Sequence, residues 1–108
     1  MTLSVDVMIT RIVRMEFQPD HVDDFLVHFN GIKSLIRNFP GVLHLELHRD
    51  ASHSNVFYTY SKWKGEDDLE IYRNSDLFKV TWAQVKLWFG AKPQAFSLLE
   101  EMVVASSS

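Results

Sequence analysis

Apolar and polar positions change period several times along the chain, and each change marks an element. From Met8 to Phe17, β-branched and long side chains run without helical spacing, which predicts a first strand. Gln18-Pro19-Asp20 is turn chemistry, and Asp20 is placed to cap the helix that follows. In that helix Val22, Phe25, Leu26, Phe29, Ile32 and Ile36 recur at spacings of three and four, one apolar stripe ending near Asn38. Gly31 lies inside the stripe and weakens it. Phe39-Pro40-Gly41 breaks the helix, and residues 42–49 then alternate strictly, the clearest strand pattern in the chain. A polar turn leads to a further strand over 56–63, so the two form a hairpin. Gly65-Glu66-Asp67-Asp68 opens a second helix with acids in its first turn, where the macrodipole favours them. Asn74-Ser75 interrupts it, and Phe78, Trp82, Val85 and Phe89 continue in register until Gly90 and Pro93. Residues 95–104 read as the last strand.

The order β-α-β-β-α-β predicts an α+β, ferredoxin-like domain over residues 8–104, with 1–7 and 105–108 as flexible ends. Its antiparallel sheet carries both helices on one face. In the second strand Leu43, Leu45 and Leu47 share one side, and Val42, His44, Glu46 and His48 the other. Neither face of strands one and three is properly polar: Met8, Thr10 and Ile12 stand opposite Ile9, Arg11, Val13, Met15 and Phe17. A sheet apolar on both faces needs a second cover. The chain offers no third layer, so the expected cover is a second copy, a homodimer whose sheets face each other as a barrel.

Composition narrows the chemistry. At 108 residues the chain makes one domain, and a net charge of −3 supplies no electrostatic footprint for nucleic acid. The absence of cysteine removes disulfides, thiolate nucleophiles and thiolate metal ligands. No apolar run reaches membrane-spanning length and the start lacks the pattern of a secretion signal, so a cytoplasmic protein is expected. Phosphate-binding loops, nucleophile elbows and zinc-protease helices are missing. His44, Glu46 and His48 share a strand face and could offer metal ligands, but steps of about 7 Å along one strand do not converge. A polar stripe in solvent or at a subunit interface is the favoured reading, with no metal. His21, His28 and His53 read as surface residues. Trp63 reads as a wedge between helix and sheet, and also suits the wall of an aromatic pocket. Tyr72 and Trp82, on either side of the helix break, read equally as core rings or as pocket hydrogen-bond donors.

Three stretches together carry a family resemblance: the first strand before Gln18-Pro19-Asp20, the run FPGVLHLEL, and YTYSKWKGEDDLEIYRNSDLF with its Ser75-x-x-Phe78 ending. With these, the chain resembles the antibiotic biosynthesis monooxygenase (ABM) family of the dimeric α/β-barrel superfamily. The resemblance implies oxygenation of small phenols, quinols or polyketide-like compounds without flavin, metal or nicotinamide. An ionised phenol can itself give an electron to O₂, so the protein supplies a dry pocket and a base. By the resemblance Thr10, Trp63, Phe78 and Trp82 form the substrate pocket, with Tyr72 as its hydrogen-bonding catalytic group. Many relatives carry a histidine where Tyr72 stands, and its loss suits an alternative, a non-catalytic binding or interaction module on the same fold. The run from Tyr72 to Trp82 is also similar to the heme-degrading branch. There Tyr72 replaces a Trp, Trp82 the axial His, and Thr10 an Asn, so the resemblance argues against heme degradation. The break at Asn74-Ser75 is expected to lift the helix off the sheet and leave room for a ligand.

Overall fold

The computed structural model describes residues 7–107; of the expected flexible ends at 1–7 and 105–108, residues 1–6 and 108 lie outside the described residues. Strands β1 (Ile9–Glu16), β2 (Val42–Arg49), β3 (Val56–Trp63) and β4 (Gln94–Leu99) form one antiparallel sheet in the order β2-β3-β1-β4. Helices α1 (Val22–Arg37), α2 (Glu66–Arg73) and α3 (Asp76–Val85) cover one face, giving the α+β, ferredoxin-like arrangement. Among the described residues no helix is long and apolar enough to cross a membrane.

The register sorts each strand into two faces. Ile9, Arg11, Val13 and Met15 pair with Trp63, Ser61, Thr59 and Phe57 on the helix side. Thr10, Ile12 and Arg14 pair with Lys62, Tyr60 and Tyr58 on the other. Beneath α1 the core is aromatic: Phe17, Phe25 and Phe57 are buried together with Met15 and Val85. A second cluster of Val42, Trp63 and Leu69 lies beneath α2, with Phe39 and Tyr72 against it.

Four expectations are corrected. Val42 does not share the face of His44, Glu46 and His48. The register shifts between Val42 and His44, so Leu43 is a bulge and Val42 joins Trp63 in the core. The last strand stops at Leu99 rather than continuing to Val104, because its one ladder partner among the described residues, β1, begins at Ile9 opposite Leu99. Asp20 does not cap α1: it lies in a 3-10 turn over Pro19–His21, and His21 precedes α1 with no side-chain cap. The first strand ends at Glu16, and Phe17 makes an isolated bridge to Phe89.

Gly41 carries the turn between α1 and β2. Its φ of +90° is one that L side chains rarely adopt, and an added Cβ would stand 2.5 Å from Asp68 Cβ. Ser75 makes the break between α2 and α3 a joint. Its Oγ donates to the Tyr72 carbonyl at 2.6 Å and accepts from the Phe78 amide at 3.1 Å. One hydroxyl thus satisfies the end of one helix and the start of the next.

Candidate functional site

Between the helix side of the sheet and the broken helix layer lies a cavity of about 350 Å³. Its walls come from every layer: Val13 and Met15 of β1, Phe25 and Ile32 of α1, Trp63 of β3, Tyr72 of α2, and Phe78 and Trp82 of α3. Aromatic rings dominate, as suits a dry chamber for a ligand with its own ring. Tyr72 anchors this wall, its ring 4.9 Å from Trp63, 5.2 Å from Phe39 and 5.3 Å from Phe78. Phe78 in turn stacks on Trp82, with centroids 5.8 Å apart and planes 9° from parallel. The rings hold one another at the rim of the space and do not fill it.

Trp63, Tyr72, Phe78 and Trp82 therefore come together around one cavity. Thr10 does not. It pairs with Lys62 and Leu98 on the opposite face of the sheet, and its neighbour Arg11 reaches the cavity instead. Trp63 is both wedge and wall: it is 2% exposed, and its Nε1 donates to Ser61 Oγ at 2.9 Å. Burial pushes the Tyr72 phenol up to about 12. At neutral pH Tyr72 is thus a hydrogen-bond donor and not a base.

Several polar groups that the sequence reading did not place here also line the cavity, and His28 and Arg11 are the two that bear on its chemistry. His28 is not a surface residue: its Nε2 is buried without a hydrogen-bond partner among the described residues, and its ring packs edge-on to Trp88 at 5.7 Å. A buried polar atom left unpaired is rare enough to require a reason. The signal was present, since His28 lies three residues after Phe25 and four before Ile32, on the apolar stripe of α1. Arg11 is the second. Burial, then the charge of Arg73, lowers its pKa, and Glu70 acts against them.

On the other sheet face His44, Glu46 and His48 form a closed hydrogen-bonded row. Glu46 accepts from or shares a proton with both imidazoles, and His48 Nε2 lies 2.6 Å from Glu46 Oε1. Hydrogen bonds from His44 and then His48 hold the Glu46 carboxyl below its ordinary range. Among the described residues no group of three or more His, Cys, Asp or Glu side chains is arranged to hold a metal ion.

An antiparallel sheet with helices on one face and an aromatic cavity between them defines a ferredoxin-like domain with an internal cavity. The sequence model of the antibiotic biosynthesis monooxygenase family matches residues 8–84, and the chain belongs to that family. No curated protein matches it. Among solved structures it is similar to a proposed antibiotic biosynthesis monooxygenase from Caulobacter crescentus CB15, at 21% identity and TM-score 0.83, covering 91% of this chain and 93% of that one. A proposed monooxygenase of the same kind from Bordetella bronchiseptica is 23% identical, with TM-score 0.78 and coverage of 92% and 100%. A conserved protein from Methanosarcina mazei Go1 is 14% identical, with TM-score 0.83 and coverage of 88% and 94%. At these identities the likeness speaks for the fold.

Proposed function

We propose that the cavity binds a small phenol, quinol or polyketide-like ring compound and oxygenates it with O₂, with no cofactor required. The aromatic-walled cavity of about 350 Å³ beside Tyr72 carries this reading. His28 Nε2 takes the proton of the substrate hydroxyl or activated ring C–H, imidazole being the side chain suited to that task near neutrality. The resulting anion gives one electron to O₂. Substrate radical and superoxide then combine at a ring carbon, and the proton returns to the outer oxygen as a hydroperoxide. Loss of water breaks the O–O and C–H bonds, leaving a carbonyl. One oxygen atom stays on the substrate and the other leaves in water, and the substrate's own oxidation provides all the electrons. Tyr72, kept protonated by its burial, donates to the substrate oxygen on which charge develops.

Oxygen uptake with a panel of hydroquinones and anthrones tests the reading. Tyr72→Phe should lower the rate about 10-fold or more, the worth of one hydrogen bond to a charged group. Unchanged rates would remove Tyr72 from the mechanism. Tyr72, standing where many relatives keep a histidine, favours a second reading, a binding module without turnover, which binding without oxygen uptake across the whole panel would support.

The same reading includes a homodimer. On the uncovered sheet face Phe96 and Leu98, at 51% and 46% exposed, stand beside Ile12 and Thr10, an apolar surface that a second sheet would bury. Light scattering at micromolar concentration should give twice the chain mass, and a clean monomer would sink the barrel.

A further inference from the structure

Arg11 is out of character with its surroundings. It sits on the helix side of β1 between Ile9 and Val13, on a face that is otherwise mostly apolar. Its strand neighbours there are Ser61 and Ser97, and Nη1 donates to Ser97 Oγ at 2.8 Å. Among the described residues no carboxylate lies within ion-pair distance of it. A guanidinium has five N–H donors, and among the described residues only Nη1 of Arg11 has an acceptor, Ser97 Oγ. Arg73, at the exposed end of α2, lines the same cavity, and its partner Glu70 is 3.5 Å away on the outer side of the helix. Two guanidiniums therefore border one apolar chamber, and the inner one is partly desolvated and repelled by the outer. An anion between them would relieve both costs.

We propose that the cavity selects aromatic oxyanions. The ring lies among Trp63, Tyr72 and Phe78, and a carboxylate or ionised phenolic oxygen is held by Arg11, with Arg73 at the mouth. Arginine suits this task because its planar fork meets a carboxylate with two parallel hydrogen bonds. The inference rests on the cavity being a ligand site, and it adds the charge of the ligand. It also places the oxyanion where a substrate ionised at that oxygen would be electron-rich enough to reduce O₂.

Calorimetric titration with 2-naphthoate and its neutral isostere 2-naphthamide, neither of which needs to react, tests it apart from turnover. The carboxylate should bind about tenfold or more tightly than the amide, the worth of a charge-assisted pair. In Arg11→Met the ratio of the two affinities should fall to near one, and in Arg73→Gln it should fall by a smaller factor. Thermal melting establishes that each variant is folded; should Arg11→Met not fold, the exposed Arg73→Gln decides. Equal affinities in the unmodified protein, with the amide bound, would overturn the inference and leave the cavity reading standing. So would a preference that survives the substitutions. Binding of neither compound would overturn both.

Discussion

Replacing His28 by glutamine should lower the rate of oxygen uptake by about 100-fold or more, the usual contribution of a positioned general base. Glutamine keeps a polar amide of similar reach but cannot take a proton. The expectation rests on location: His28 lines the cavity, and its buried Nε2 has no protein partner among the described residues. A histidine kept only for packing would be tied down by a hydrogen bond, as buried polar atoms usually are. A second variant separates the two roles. His28→Phe keeps a ring in the cavity wall but has no nitrogen to take a proton, so it should lose activity as His28→Gln does. Oxygen uptake that survives in His28→Phe would show that His28 only shapes the cavity. Melting temperature should change little, because the buried Nε2 that is removed has no partner among the described residues to strand.

Phe17→Ala should cost about 3–5 kcal/mol, the range for deleting a buried phenyl ring. Against a total of roughly 5–15 kcal/mol, that brings the domain close to unfolding at ordinary temperature. Phe17 is 0% exposed and stacks on Phe25 at 4.2 Å, with Phe89 at 5.4 Å and Phe57 at 6.0 Å. Its backbone is fixed as well, donating to the Asn55 carbonyl and accepting from Asn55 Nδ2, each at 2.9 Å. The neighbours are therefore held in place and cannot collapse into the space. Urea unfolding with an unchanged slope and a much lower midpoint is the expected result. A loss below about 1 kcal/mol would mean that α1 and the segment after α3 can close over the gap.

Much of the fold was legible because its strands alternate and its first helix keeps one stripe. The hairpin of β2 and β3, the helix break at Asn74-Ser75 and the strand face that Arg11 shares with Ile9, Val13 and Met15 all follow from spacing alone. What was not legible depends on partners. The bulge at Leu43 adds one residue to a strand whose alternation looks perfect, so only the ladder with β3 reveals it. The end of β4 is set by where β1 begins, and the run from Glu100 to Val104 carries no mark of that limit. In the site, Trp63, Tyr72, Phe78 and Trp82 could be named, whereas Thr10 was placed by likeness to relatives and stands on the wrong face. A histidine on a helix reads by default as a surface residue, and only the spacing of His28 from Phe25 and Ile32 marks its inward position.

The Ser75 joint has one more consequence, in angular terms. An uninterrupted helix turns by about 100° per residue, so Leu69 and Phe78, nine residues apart, would point in opposite directions. Tyr72 and Trp82 would diverge by about 80°. Yet all four line the same cavity. The interruption resets the rotational phase, so that one stretch of chain supplies two inward faces. A residue added or lost within α2 or α3 would turn only its own half of the wall, which lets the chamber be reshaped on one side while the other keeps its aim.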